Sequence, residues 1–208
     1  MIKKLSILFF FLISSSMIAQ VDNVNWSSIQ LQTKFSDKVT FNVKPIFRFN
    51  QDISNFQNAS IDIYAKYSLG KGWSTQLTSR TWFIPDQKNR QFIWPDLAYS
   101  FSKGNFKIDN RIRYHLALDI NDREDPDFIR HIVLLTYTKG KLKPFIGVEP
   151  WFRLNGVNQW QRVRYIPGMS YKINDTYAVS LTYWKEESIN LDPFISTNIW
   201  LFNLLVKI

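Results

Sequence analysis

The segment NFKIDNRIRYHLAL at residues 105–118 alternates apolar and polar side chains with a period of two. Successive side chains of a β-strand point to opposite faces, so this segment as a strand has one apolar face and one charged face. The charged face carries Lys107, Asp109, Arg111, Arg113 and His115. A slip of one residue would exchange the two faces, which fixes the register strongly. The segment therefore predicts a strand between two very different surroundings.

The same alternation recurs in KVTFNVKPIFRFN at residues 38–50 and in ASIDIYAKYSLG at residues 59–70. Runs of about 12 residues are roughly twice as long as the usual strand of a soluble protein. At about 3.3 Å per residue and a tilt near 40°, such a strand rises roughly 30 Å. That rise covers the apolar band of about 25 Å that an outer-membrane barrel presents to lipid.

Short polar turns and longer polar loops alternate strictly along the chain. The short turns are predicted at residues 36–38, 70–72, 103–105, 139–141 and 174–175, and the longer loops near residues 50–58, 85–91, 119–128, 154–160 and 187–195. Gly, Asn and Asp in the short turns are typical of β-hairpins. No window shows a sustained helical period, so no helix is expected after the N-terminal segment.

These features predict an all-β fold, a single antiparallel up-and-down transmembrane β-barrel over residues 21–208. Eleven strands can be counted, whereas bacterial barrels have even counts, so we expect about 10–12 strands and prefer twelve. A closed soluble barrel of this width needs a helix to fill it, as green-fluorescent-type barrels have. A soluble β-sandwich remains the alternative, because regular strands with short turns suit it as well.

Aromatic side chains cluster near both ends of the predicted strands. Tyrosines lie beside the short turns, at residues 67, 99, 137, 171 and 177, and tryptophans lie beside the longer loops, at residues 82, 151, 160 and 184. Membrane interfaces select such aromatic belts on either side of an aliphatic band. The placement predicts two outward-facing belts and favours the membrane barrel over the sandwich.

The N-terminal segment MIKKLSILFFFLISSSMIAQ has a basic start, a short apolar run and a stretch of small residues. This layout is typical of a secretory signal peptide over residues 1–20, cleaved near Ala19 or Gln20. The apolar run is too short for a membrane-spanning helix. The chain has no cysteine, which excludes a lipid anchor on an N-terminal cysteine, disulfides and thiolate metal sites.

The net charge is +9, from 26 basic and 17 acidic residues. Cleavage after residue 20 removes two basic residues and no acidic ones, which leaves a net charge of +7. Basic chains often bind nucleic acid, but an exported chain rarely meets it, so no nucleic-acid partner is expected. We expect partners among outer-membrane lipid, lipopolysaccharide, an envelope protein and small anions.

The inward face of the predicted barrel is rich in arginine. The candidate lumenal charge cluster comprises Arg48, Arg80, Arg111, Arg113, Glu149, Arg153, Arg162 and Arg164, with Glu149 expected among Arg111, Arg113, Arg162 and Arg164. In a narrow barrel these side chains would pack as a ladder of ion pairs, and in a wider one they would favour anions in a water-filled passage. The ladder, in a structural or partner-binding barrel, is the preferred hypothesis, and a small anion-biased, porin-like pore is the alternative.

The sequence gives little support for an enzyme. Outer-membrane lipases need a His–Ser pair, yet neither His115 nor His131 lies in a His-x-Ser pattern. Asp127 and His131 are four residues apart at the start of a strand and are not expected to converge as an acid–histidine site. We therefore predict no catalytic, cofactor-binding or metal-binding residues, and a lipid-active enzyme is the weakest of the three functional hypotheses.

Several motifs also support a family resemblance. They are Trp26, Arg48, RIRYHL at residues 111–116, PFIGVEPWFR at residues 144–153 and RVRYIPGMSYKI at residues 162–173. With these motifs the mature chain resembles an uncharacterised family of Bacteroidota outer-membrane β-barrels, known as domain of unknown function 2490. The resemblance implies the barrel fold and the outer membrane, and it implies no established chemistry.

Overall fold

The computed structural model describes residues 23–50, 55–118, 126–154, 158–190 and 194–208, so the predicted signal peptide lies outside the described residues. No helix in these ranges is long and apolar enough to cross a bilayer. The strands are β1 (Asn23–Lys34), β2 (Val39–Asn50), β3 (Asn55–Gly70), β4 (Trp73–Phe83), β5 (Arg90–Lys103), β6 (Phe106–Leu118), β7 (Phe128–Tyr137), β8 (Leu142–Arg153), β9 (Gln159–Tyr165), β10 (Gly168–Lys172), β11 (Tyr177–Ser188) and β12 (Ser196–Lys207). The predicted all-β class is confirmed.

The strands form one sheet that closes on itself. Each strand from β1 to β8 pairs antiparallel with the next, and β12 pairs with both β11 and β1. β9 and β10 both pair with β8 on one side and with β11 on the other, so they share one position in the wall. The predicted up-and-down barrel is therefore confirmed, with eleven wall positions built from twelve strand segments.

The interruption between β9 and β10 has a local cause. Pro167 has no backbone N–H and cannot donate to a ladder. The wall nevertheless continues through this point, because Ile166 exchanges backbone hydrogen bonds of 2.8 and 3.0 Å with Gly147, and the carbonyl of Pro167 accepts one of 2.9 Å from Tyr183. The preferred count of twelve thus holds for the segments but not for the wall.

An odd number of wall positions makes the first and last strands run in the same direction. β1 and β12 accordingly pair in parallel, with Gln32 opposite Lys207, and the amide of Ile208 donates a 2.9 Å hydrogen bond to the carbonyl of Gln32. All other pairs are antiparallel. The closing seam is the one departure from the predicted antiparallel pattern among the described strands.

The five short turns lie where the sequence predicts them. In the turn between β3 and β4, Gly70, Lys71 and Gly72 all have positive φ, which glycine adopts without strain. Gly72 also packs against the backbone of Ser100, whose amide donates a 2.9 Å hydrogen bond to the carbonyl of Gly72. A Cβ on residue 72 would collide with the carbonyl oxygen of Ser100. The short turns define one end of the barrel, here called the turn end, and the longer connections define the loop end.

The two faces of each strand differ as the alternation predicts. In β6, Ile108 and Ile112 are 43 % and 51 % exposed on the outer surface, whereas Arg113 and His115 are buried in the lumen. The outer surface shows the same character around the barrel, with exposed side chains that include Leu31, Phe41, Ile63, Leu77, Leu97, Leu135, Ile146, Leu181 and Phe202. The barrel is therefore apolar outside and polar inside.

The aromatic prediction holds at the turn end and is mostly wrong at the loop end. Tyrosines 67, 99, 171 and 177 are exposed on the outer surface, as expected. Of the four tryptophans predicted for the other belt, Trp160 is exposed, but Trp82, Trp151 and Trp184 line the lumen. Each of these three shares its strand face with an inward charged residue, so parity along the strand overrides proximity to the loop.

Candidate functional site

The lumen contains a cavity of about 610 Å³ lined by side chains from every position of the wall. Nine of its lining residues are Lys or Arg, and three are Asp or Glu. Most of the charged groups are nonetheless well covered, and Glu149 is only 3 % exposed. Buried charges are costly unless they are paired, so the partners of each guanidinium decide what this site can do.

Two aspartates hold guanidinium groups on the β3–β6 side. Asp62 accepts hydrogen bonds of 2.5 Å from both Nε and Nη2 of Arg80. Asp96 accepts two bonds of 2.6 Å from the same two nitrogens of Arg113, and Nη1 of Arg111 lies 3.8 Å from it. These bidentate pairs have the geometry that makes Arg–carboxylate contacts strong and directional.

Glu149 is the centre of the opposite side of the lumen. Its Oε1 accepts hydrogen bonds of 3.2 and 2.8 Å from Nε and Nη2 of Arg130. Its Oε2 accepts bonds of 3.2 Å from Nη1 of Arg164 and of 3.2 Å from the indole of Trp151. One buried carboxylate thus pairs with two guanidinium groups, and its removal would leave Arg130 without an ion-pair partner and Arg164 with Glu186 alone.

Glu186 completes the layer of ion pairs in the lumen, here called the charge layer. Its members are Asp62, Arg80, Asp96, Arg111, Arg113, Arg130, Glu149, Arg162, Arg164 and Glu186. Glu186 accepts a 2.8 Å hydrogen bond from Nη1 of Arg162, and both Nε and Nη2 of Arg164 donate to it, Nε at 2.8 Å. Every ion pair of the layer joins strands that are neighbours in the wall, including β9 and β11. The pairs therefore line the wall and fix its register.

Toward the loop end, aromatic and guanidinium groups form a closed circuit around the lumen, here called the stacking ring. Ring centroids and guanidinium carbons of consecutive members lie between 4.0 and 6.0 Å apart. Three of the eight contacts join strands that are not neighbours in the wall. The order is Trp26, Arg48, Trp82, Phe92, His115, Trp151, Arg164, Trp184 and back to Trp26. Contacts that skip strands fill the barrel inward, which narrows any passage.

Trp94 joins the charge layer to this ring. It is 2 % exposed, and the guanidinium carbons of Arg80, Arg113 and Arg130 lie 4.3, 4.5 and 5.6 Å from its ring centroid. Its ring also lies 4.9 Å from that of His115. Cation–π contacts of desolvated guanidinium groups contribute about 2 kcal/mol or more each. Trp94 thus separates three like charges while attracting each of them.

The model of a family described as protein of unknown function (DUF2490) matches residues 23–188. The chain belongs to this family. The match runs from the start of β1 to the end of β11 and so includes the charge layer and every residue of the stacking ring. A comparison with curated proteins found no match.

Seven of the eight predicted cluster residues line the central cavity. The exception is Arg153, which lies near the loop end of β8 beyond the lining residues. The direct partners of Glu149 are Arg130 and Arg164, whereas Arg111 and Arg113 approach Asp96. The stagger of neighbouring strands decides which carboxylate each arginine meets, and the sequence alternation alone does not contain that stagger.

Sequence reasoning missed Arg130 and Trp94. The other inward residues of β7 that line the cavity are apolar, Phe128, Ile132 and Leu134, so the strand lacks a clear polar face. Alternation along β7 places Arg130 on the same face as Ile132 and Leu134. In the structure this face is the inward one, since Arg130 lies opposite the inward Arg113 of β6. Trp94 could have been found in the same way, since it shares a strand face with Asp96.

The residues weighed as catalytic candidates lie in separate environments. His115 packs within the stacking ring, while His131 contacts the Oδ1 of Asn110 at 2.8 Å. Asp127 accepts hydrogen bonds from the hydroxyl of Tyr114 at 3.0 Å and from the amide of Ala117 at 2.8 Å. Within the described ranges, no group of three or more His, Asp or Glu residues could hold a metal ion.

Proposed function

We propose that this protein is an outer-membrane β-barrel of a Bacteroidota bacterium that is exported by the signal peptide at residues 1–20. In this proposal the turn end faces the periplasm and the loop end faces outward. The apolar outer surface, the long tilted strands and the tyrosines at the turn end support contact with outer-membrane lipid.

We further propose that the barrel is structural or partner-binding and has a closed, positively charged lumen. The observation that carries this proposal is the burial of the lumenal charges. Asp96 and Glu149 are each 3 % exposed, and Arg164 is 5 % exposed. In a water-filled channel such side chains would be hydrated along the passage. Partners of this kind of barrel include lipopolysaccharide or an envelope protein, and the proposal has no catalytic step.

The second candidate is a small anion-biased pore. The observation in its favour is the composition of the cavity lining, in which Lys and Arg outnumber Asp and Glu by nine to three. A positive lining attracts anions and repels cations if water fills the passage. The two candidates share one fold and differ only in whether the stacking ring closes the lumen.

Conductance in planar lipid bilayers separates these candidates. The refolded mature chain, residues 21–208, is expected to insert without producing current steps. Current steps with an anion preference, whose conductance is lowered by Arg111→Glu or Arg164→Glu, would overturn the closed barrel in favour of the pore. Insertion is verified independently by protection of the strands from added protease, so a silent bilayer reports a closed lumen.

The membrane location is tested on the outer surface. Ile112→Arg places a charge on the apolar face near the middle of β6, where it is expected to cost about 2–4 kcal/mol in a lipid bilayer. The matched control is Thr176→Arg in the exposed turn between β10 and β11, where the cost should be close to zero. The measurement is urea unfolding in phospholipid vesicles. A mature chain that stays folded and monomeric in buffer without detergent would contradict the proposal.

A further inference from the structure

Arg48 differs from the other guanidinium groups of the lumen. It is 3 % exposed and lies between two indole rings, 4.0 Å from the centroid of Trp26 and 4.3 Å from that of Trp82. Its Nε and Nη2 have no hydrogen-bond partner among the described residues. A buried guanidinium without a counter-charge is destabilising, so the fold carries a cost at this position.

The two nitrogens concerned form the edge that the other arginines use. Arg80 and Arg113 each hold an aspartate through Nε and Nη2, and Arg130 holds Glu149 through the same pair. This edge presents two parallel N–H groups that match the two oxygens of a carboxylate or a phosphate. Arg48 therefore presents the same recognition edge without a protein oxyanion on it.

The residue opposite Arg48 in the wall explains the difference. Asp62 lies opposite Arg80, and Asp96 lies opposite Arg113. The residue opposite Arg48 is Asn58, a neutral amide of nearly the same shape as aspartate. Asn58 is 6 % exposed, and its Oδ1 has no hydrogen-bond partner among the described residues. The pattern of the wall is thus repeated at Arg48 with the negative charge left out.

Further hydrogen-bond donors surround the same place. The indole Nε1 atoms of Trp26, Trp82 and Trp184 are buried and have no partner in the described part of the chain. All three indoles line the central cavity. Trp26 and Trp82 stack on Arg48, and the ring of Trp184 lies 5.1 Å from that of Trp26. Buried donors are normally satisfied, so a concentration of them indicates a ligand that supplies acceptors.

A second cavity of about 470 Å³ lies at the loop end, where β2 ends and β3 begins. Trp82 lines both cavities and stacks on Arg48. The side of the second cavity formed by β2 and β3 is rich in amides, with Asn50, Asn55 and Asn58. A ligand entering from the loop end would thus pass amide groups first and would reach Arg48 by displacing Trp82.

We propose that Arg48, with the indoles of Trp26 and Trp82, binds the carboxylate or phosphate group of an anionic ligand that enters from the loop end. The inference rests on the proposed closed, partner-binding barrel and names the chemistry of its partner. The Nε–Nη2 edge holds the oxyanion, and the indole N–H groups donate to its remaining oxygens. A cation does not fit this place, because the guanidinium edge and the indole N–H groups are all donors and the guanidinium is positively charged.

The test is a titration of the folded mature chain in zwitterionic detergent, followed by tryptophan fluorescence and by the thermal unfolding midpoint. The probes are acetate, inorganic phosphate and a short-chain phosphatidic acid. We expect saturable binding that raises the unfolding midpoint. Saturation by acetate or inorganic phosphate identifies a free solute as the ligand source, and saturation by phosphatidic acid alone identifies a lipid headgroup.

Two variants test the assignment to Arg48. Arg48→Met removes the edge, and Asn58→Asp supplies the oxyanion from the protein, so each should weaken binding about tenfold or more. Asn58→Asp should also raise the unfolding midpoint without ligand, which keeps the test informative if Arg48→Met does not fold. The control is Lys107→Met, which removes a lumenal charge that Asp109 already pairs at 2.7 Å and should leave binding unchanged.

Non-saturable binding, or an equal loss in Lys107→Met, would overturn the inference. A folded, non-conducting barrel that binds none of the probes overturns the Arg48 site and leaves the proposed function standing. A barrel that conducts anions overturns the proposed function first, whatever its affinity for the probes. The two failures are therefore distinguishable in one set of samples.

Discussion

Two parts of the lumenal wall solve the same electrostatic problem differently. Around Asp96 and Glu149, each guanidinium finds a carboxylate on a neighbouring strand. Around Arg48, the guanidinium finds indole rings and a neutral amide. The strands, their tilt and their inward arginines are alike in both parts, so the difference comes from single residues opposite each arginine. A β-wall of this kind can change from a structural pair to a binding edge by one Asp-to-Asn difference.

The largest effect is expected where one carboxylate serves two cations. Glu149→Gln keeps the shape but removes the charge that pairs with Arg130 and that Arg164 shares with Glu186. Breaking a buried pair in this way costs about 3–5 kcal/mol of unfolding free energy. Urea unfolding in lipid vesicles measures it. The control Glu187→Gln removes the carboxylate that pairs with Lys185. This pair is more exposed than that of Glu149, so the cost should be below about 1 kcal/mol.

The second prediction compares the two parts directly. Arg113→Met leaves Asp96 buried with only the distant Arg111, so we expect a loss of about 3 kcal/mol. Arg48→Met removes a charge that has no counter-charge among the described residues, so stability without ligand should stay within about 1 kcal/mol or rise. Equal losses in the two variants would remove the distinction between the two parts.

A smaller effect is expected at the junction of the charge layer and the stacking ring. Trp94→Phe keeps an aromatic face toward Arg80, Arg113 and Arg130 but reduces its size and its attraction for cations. We expect a loss of about 1–2 kcal/mol from the weaker contacts and the small cavity. A loss of the same size in Trp160→Phe, on the exposed outer surface, would show that the contribution of Trp94 is not electrostatic.

The smallest effect is expected at the turn end. Lys172 donates a hydrogen bond to the exposed Asp175 and lowers the pKa of its carboxyl group. A lowered pKa in the folded state stabilises the fold above the ordinary pKa of aspartate, and this contribution is lost as the pH falls below it. Because Asp175 is fully exposed and Lys172 is about half exposed, Asp175→Asn should leave the unfolding midpoint unchanged at pH 7. A clear shift would mean that the short turns hold the wall together more than the lumen does.

The barrel, and the side of its wall that is polar, follow from the local pattern of residues along the chain. Period-two alternation in long strands, as in residues 105–118, fixes which side chains face inward once one face is apolar. Gly, Asn and Asp punctuation fixes the hairpins, and these are local properties that neighbouring residues dictate. The inward placement of Arg113 and Glu149 follows from the same local rule.

The carboxylate or ring that each lumenal side chain contacts depends on the three-dimensional arrangement of the strands. The stagger between strands brings Glu149 to Arg130 and Arg164, and closure of the wall brings Trp26 to Trp184 across a parallel seam. Alternation records the face of a side chain but not its height along the barrel, and contact between strands depends on both.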